Sequence, residues 1–225
     1  RFIATVAEKR FGFDTQPVAE MVKWADIIDG ALYPDAKSAV EMKAPAMKLT
    51  MVIETAQEPG FIVRLIPLLA SEPLEQILNQ PFVAPLLAPL MERHQKTIEV
   101  MRRRIEFDDG TVFFDVSDGD YEGYNKFVPY FLYPQCVYSV GLSKSNFRTK
   151  VAVGSNPWAP VPPLVNLARV CERYGGGGHA RVGAISFPTS HGDEARTAAR
   201  EIVAELRASF RQQQTAAKPA PSQPD

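Results

Sequence analysis

The sequence predicts an α/β chain: a helical first part, a connecting helix, and then a small α+β domain whose mixed sheet is flanked by helices. Three observations predict it. Apolar residues recur at helical spacing through "TQPVAEMVKWADIIDGA" and the segments after it. From about Arg104 the period drops to two, and Asp109-Gly110 within "RIEFDDGTVFFDV" is a strong hairpin signal. Beyond that point strand-like and helix-like runs are interspersed to about residue 210, the mark of a sheet covered by helices.

Taken in order, "RFIATVAEKRFGF" places Ile3, Val6 and Ala7 at helical spacing with no capping residue ahead, which reads as the middle of something longer. The next helix has Thr15 or Asp14 as its cap and Pro17 in its first turn. Val18, Met21, Val22, Ala25 and Ile28 lie on one face, and Gly30 stops it. "DAKSAVEMKA", "LTMVIETA", "FIVRLIPLLA" and "PLEQILNQ" repeat the pattern, and "PFVAPLLAPLMERHQKTIEVMRRRIEF" is a long helix between domains. After the hairpin, "CVYSVGLS" and "FRTKVAVG" are strands split by the turn "KSN". "PPLVNLARVCERY" is a helix with Leu164, Leu167, Ala168 and Cys171 on one side, "ARVGAISF" a strand from Ala180, and "DEARTAAREIVAELRASF" the closing helix. The expected divisions are residues 1–80, a connecting helix 81–104, a domain over 105–210, and a disordered tail over 211–225, which has no large apolar residue to bury.

Composition excludes some classes. A net charge of -1 over 225 residues gives no whole-chain attraction to nucleic acid or membrane, so anion binding must come from a local patch. No uncharged apolar run is long enough for a span, and a cytoplasmic protein is the expectation. Cys136 and Cys171 lack metal-ligand spacing and read as small buried hydrophobes, with a pair of thiols the alternative.

The segment "YGGGGHARVGAISF" carries the chemistry. A linker is the bland explanation, but Gly175, Gly176, Gly177 and Gly178 stand between a helix and a strand rather than between domains. Four glycines admit a close approach to the backbone, and successive N–H groups form a nest for anionic oxygens, with His179 as a further donor. "SKSNFRTK" adds Ser143, Lys144, Ser145, Asn146, Arg148 and Lys150, a donor set suited to phosphate, where the alternative is a solvated hairpin tip. If the sheet brings this turn beside the glycine loop, the two make one anion pocket.

This order of strands, helix, "GGGGH" and strand resembles the substrate-binding associated domain of the DHH phosphoesterase superfamily, the match covering residues 104–210. The resemblance implies hydrolysis of a phosphoester or phosphoanhydride, with dinucleotides, short RNA, nucleoside bisphosphates and polyphosphate as the substrate classes. It implies substrate contacts from Gly175 to Gly178 and His179, with Ser143, Ser145 and Arg148 beside them. Residues 1–80 would then be the C-terminal part of the catalytic domain, in which aspartates and an Asp-His-His triplet hold two manganese ions. No such triplet occurs in these 225 residues. "VKWADIIDGALYPDA" looks like the family's last acidic motif, with Asp26 the first choice of metal ligand and Asp29 the second; helix-end capping is the alternative for both. The implied expectation is that the chain starts after the triplet and is nearly inactive alone. The rival reading is a non-catalytic phosphate- or nucleotide-binding module. A weaker one is single-stranded nucleic-acid binding through Arg102, Arg103 and Arg104, and the aromatic residues of "DYEGYNKFVPYFLYP" are expected in packing rather than in base stacking.

Overall fold

Caps and prolines decide where the helices of the first part begin. In the computed structural model, which describes residues 2–119, 121 and 123–216, the chain divides into two units after Lys96. Helix α1 (Phe2–Phe11) is followed by a short 3₁₀ turn, Gln16–Val18, and α2 (Ala19–Asp29). Asp14 rather than Thr15 supplies the cap: its Oδ1 accepts the Gln16 N–H at 3.0 Å, and Thr15 makes no side-chain cap bond. Val18 is buried as the periodicity requires, but Ala25 is exposed. Helices α3 (Ala36–Glu41), α4 (Pro45–Thr55), α5 (Phe61–Ser71), α6 (Leu74–Leu78) and α7 (Ala84–Arg104) complete the helical series. Asp35 caps α3 by accepting the Ser38 N–H at 2.6 Å, and Pro45 opens α4, where its missing N–H costs nothing. Leu49, Val52, Phe61, Leu65, Leu74, Ile77 and Val83 form the core of this unit. His94 is buried on α7 and donates from Nε2 to the Val40 carbonyl at 2.7 Å, a structural histidine.

The second unit is a six-stranded mixed sheet. Its strands are β1 (Glu106–Asp108), β2 (Thr111–Asp115), β3 (Tyr138–Lys144), β4 (Thr149–Ser155), β5 (Gly177–His179) and β6 (Val182–Phe187), in the order β1-β2-β3-β4-β6-β5. Asp109 and Gly110 both take positive φ, 42° and 67°, as a two-residue hairpin with the sheet's twist demands. The β2–β3 pair is parallel, and the crossover between them contains α8 (Val128–Leu132). Helices α9 (Leu167–Glu172) and α10 (Gly192–Ala216) cover one face. There Val140, Leu142, Val151, Val153 and Ile185 of the sheet pack with Leu167, Ala199, Ile202 and Leu206.

Two sequence expectations change here, and the reading of the cysteines holds. Helix α9 starts at Leu167, capped by Asn166, so Leu164 lies before it and is 64% exposed. Instead the buried Tyr138 hydroxyl accepts the N–H groups of Leu164 and Val165 at 2.9 and 3.1 Å and so holds the segment before α9. Helix α10 runs through residues 211–216, six beyond the predicted end, and Arg211 in that extension pairs with Asp109. The remainder of the expected disordered tail, 217–225, lies outside the described residues. Both cysteines are buried free thiols, Cys136 pushed up to about 12 and Cys171 to about 11 by burial, so both are hydrophobes rather than nucleophiles.

Arginines zip α10 onto β1 and β2. Arg200 grips Glu106 with both nitrogens, at 2.7 and 2.9 Å, and lies 4.0 Å over the Phe113 ring. Arg196 Nε donates to Asp115 at 2.9 Å, and Arg207 approaches Asp108 at 3.5 Å. The bond from Arg200 holds the Glu106 carboxyl below its ordinary value of 4.5. Burial works against the Asp115 carboxylate, but Ser117 and Arg196 together hold it below 3.8. Between those ordinary values and the lowered folded ones, the unfolded chain binds more protons. The stabilisation is therefore complete above about pH 5 and drains as pH falls through the folded values. Arg200→Met should make the urea midpoint of unfolding less sensitive to acidification from pH 7 to pH 3; equal sensitivity in the two proteins would contradict this account.

Candidate functional site

The face of the sheet turned away from α9 and α10 holds the predicted residues. Because Leu142, Val151 and Ile185 enter the core, alternation turns their neighbours to the other side. Register then sets Ser143 opposite Lys150, and Lys150 opposite Ser186, as one row across β3, β4 and β6. Ser143 is buried, Lys150 half-buried and Ser186 exposed. Arg148, just ahead of β4, points Nη1 at Ser186 Oγ at 3.5 Å. Ser145 lies at the hairpin tip, its N–H donating to the Arg148 carbonyl at 2.9 Å.

The next row is Gly141, Ala152, Ala184 and Gly177, and the one beyond it is Ser139, Gly154, Val182 and His179. Over β3 this face is filled. A Cβ at Gly141 would stand 2.5 Å from the Tyr124 hydroxyl, and one at Gly154 2.4 Å from the Tyr130 hydroxyl, which is also 2.9 Å from Ser139 Oγ. Phe127 is buried as well and meets Trp158 at 5.6 Å, so much of the aromatic segment is packing, as expected. Across β4, β6 and β5 the small residues Ala152, Ala184 and Gly177 leave a flat floor.

The glycine run is not an open nest. Gly175, at φ 74°, terminates α9; its N–H goes to the Glu172 carbonyl at 3.1 Å and that of Gly176 to Cys171 at 2.9 Å. Gly177 and Gly178 belong to strand β5 with His179, and the strand expected from Ala180 begins instead at Val182 after a two-residue turn. What the run provides is a sheet edge, where alternate N–H groups face away from β6. A methyl at Gly176 would meet the Ala184 carbonyl oxygen at 2.3 Å and one at Gly178 the Val182 oxygen at 2.2 Å, but one at Gly177 meets nothing within 4 Å. Backbone packing therefore accounts for two of the four glycines, and Gly177 faces open space.

Nor do the two motifs form one compact pocket. His179 is paired with Val182 and Arg148 reaches Ser186, so they stand at opposite ends of β6, roughly 13 Å apart at about 3.3 Å per residue. They share a face and bound an elongated strip. Lys150 completes the basic end, while Ser186 escaped the sequence reading because only strand pairing puts it in the row. Arg181, exposed in the turn after His179, escaped it as well.

In the first unit Asp26 is half-buried and Asp29 exposed, three residues apart in the last turn of α2. Among the described residues no three His, Cys, Asp or Glu side chains converge as a metal site. A manganese ion takes about six hard ligands. Two carboxylates do not fit a two-ion centre by themselves. His191 lies just ahead of α10 with Nδ1 3.1 Å from Glu194, and its carbonyl accepts the Ala195 N–H, which makes it a capping position. Of the three linker arginines, Arg104 is bound to Asp118 and to the Asp115 carbonyl, and Arg102 pairs with Glu99 at 3.6 Å. No helix among the described residues is long and apolar enough to cross a membrane.

No family model matches the chain, and no curated protein sequence does. Among solved structures, a pGpG-specific phosphodiesterase from Vibrio cholerae superposes with a TM-score of 0.71 at 20% identity, over 91% of this chain and 72% of that one. An exopolyphosphatase-related protein from Bacteroides fragilis reaches 0.39 at 14% identity, over 77% of this chain and 52% of its own. The DHH domain of a member of a family of ribosomal proteins reaches 0.49 at 14% identity, over 72% and 43%. The first likeness establishes the fold, which this chain shares with a pGpG-specific phosphodiesterase. Particular identity goes no further than that architecture.

The glycines give a direct test. Gly178→Ala should destabilise the protein by about 2 kcal/mol or more through overpacking, whereas Gly177→Ala should leave the melting temperature within a few degrees and weaken ligand binding alone. Equal thermal losses in the two variants would show that Gly177 serves packing only.

Proposed function

We propose that the second unit grips a phosphorylated nucleotide across the open strip of its sheet, as the substrate-binding part of a phosphoester hydrolase. The observation that carries this is the row Ser143–Lys150–Ser186 with Arg148 beside it, on the same face as Gly177 and His179. Arg148 binds two phosphate oxygens at once, Lys150 supplies a point charge, and the serine hydroxyls donate hydrogen bonds. His179 and the β5 edge serve a second anionic or polar group at the far end. A strip of that length suits an extended substrate with more than one phosphate or base. The phosphodiesterase of like fold acts on pGpG, and a linear dinucleotide is the substrate class we favour here.

This chain's part in the reaction is binding and orientation. Holding the substrate's end in one geometry converts a bimolecular encounter into a positioned one. Manganese, which the family resemblance implies, would supply water activation and charge stabilisation. Asp26, with Asp29 second, is the carboxylate we assign toward it. The lack of a converging ligand trio among the described residues favours one further reading, a phosphate- or nucleotide-binding module without catalysis. If the assignment to manganese holds, the chain binds manganese and Asp26→Asn weakens that binding; manganese binding equal in the two proteins would favour the module reading.

Titration of 5′-phosphorylated diguanosine should show a dissociation constant that rises with salt. Arg148→Ala should raise it roughly 10- to 100-fold, the loss of a charge-assisted contact, and flatten the salt slope by about one. Unchanged affinity in that variant would remove the basic end of the strip from the site. Residues 1–225 alone should show no manganese-stimulated hydrolysis of the same dinucleotide, followed by product chromatography. Sustained turnover by the purified chain would overturn that expectation.

A further inference from the structure

The β3–β4 hairpin tip exposes something that phosphate binding does not use. Only Asn146 and Phe147 lie between Ser145 and Arg148, whose backbones are bonded at 2.9 Å. Phe147 is 66% exposed, an unusual position for a phenylalanine on a tight polar turn. Its ring neighbour is Arg148, with the guanidinium carbon 5.0 Å from the ring centroid. With two-thirds of the residue in solvent, the ring keeps exposed surface beyond that contact. Aromatic residues of the sheet and its crossover are taken up in packing: Phe114 lies edge-on to Tyr124 at 5.3 Å, Phe107 lies against Tyr133 at 5.4 Å, and Tyr130 is buried on Ser139.

We propose that Phe147 is a nucleobase platform: a base stacks on its exposed surface while Arg148, beside the ring, holds the phosphate of the same nucleotide. This rests on the strip being a phosphate site, and it narrows the substrate to one bearing a base. Inorganic polyphosphate and sugar phosphates would use Arg148 and leave Phe147 idle. The arrangement fits the physics of stacking. Every base presents a π face to an aromatic ring, so the contact tolerates sequence. The cation beneath the ring restrains its plane, and the ordering cost of stacking falls. Neighbouring Lys144 is exposed on the same hairpin, so the approach is electropositive as well as apolar.

The test compares 5′-AMP with ribose 5-phosphate, which differ by the base alone, by calorimetric titration of the full chain. The wild-type protein should bind 5′-AMP about tenfold more tightly. Phe147→Ala should erase that preference without weakening ribose 5-phosphate, Phe147→Trp should retain it, and Phe147→Leu, which keeps apolar bulk without a π face, should lose most of it. Arg148→Ala should weaken both ligands. An unchanged preference in Phe147→Ala and Phe147→Leu, with Arg148→Ala still weakening both ligands, would overturn the platform and leave the phosphate site standing. If the wild-type protein binds neither ligand at millimolar concentration, the phosphate site fails and the platform fails with it.

Discussion

The close approach of β5 to β6 is the constraint on which the candidate site depends. With Cβ atoms at Gly176 and Gly178, methyl carbons would lie 2.3 and 2.2 Å from carbonyl oxygens of β6, a distance no side chain tolerates. The same demand continues on the partner strand, where a Cβ at Gly183 would come within 2.5 Å of Cys171 Sγ on α9. Removing side chains lets the helix end, the edge strand and its partner share one narrow space. As a result, the sheet gains a sixth strand, the floor of the strip becomes flat, and His179 is set at its far end. A flexible glycine loop would have given none of these, since it would fix neither register nor edge.

The strip also depends on how the opposite face is closed. Hydrophobic side chains of β2, β3, β4 and β6 are drawn into the α9–α10 core, and by alternation the polar residues must turn outward. Arginines along α10 then bind carboxylates of β1 and β2, anchoring the helix over the sheet near the edge farthest from β5. Individually exposed ion pairs of this kind contribute little, but the bidentate Arg200–Glu106 pair, packed on Phe113, has the geometry in which such a pair counts. Tyr124 and Tyr130 close the strip on its β3 side, where Gly141 and Gly154 make room for their hydroxyls. The open part of this face therefore lies mainly over β4, β6 and β5.

The two units differ in the side chains they gather. The second unit concentrates hydroxyls, an arginine, a lysine and a histidine on one face, the inventory for holding an anion. In the first unit Asp26 and Asp29 share the last turn of α2 and do not by themselves make a metal centre.

Much of this was legible from residue order. Helical periodicity located α2 and α7, Asp109-Gly110 located the first hairpin, and the donor-rich "SKSNFRTK" pointed to Arg148 and Ser143, because these signals lie within a few residues of one another. The sequence by itself determined most of the helical and strand segments, the apolar faces of those segments, and that the glycine run required a backbone free of side chains. Tertiary structure alone decided why. Strand pairing, a contact between residues far apart in the chain, made Gly177 and Gly178 part of an edge strand and carried Ser186 into the row with Lys150. It also separated His179 from Arg148 by the length of β6, turning an expected pocket into a strip. Local spacing reports local conformation, whereas register across strands is set by which hydrophobic face the core buries, and that is a property of the whole sheet.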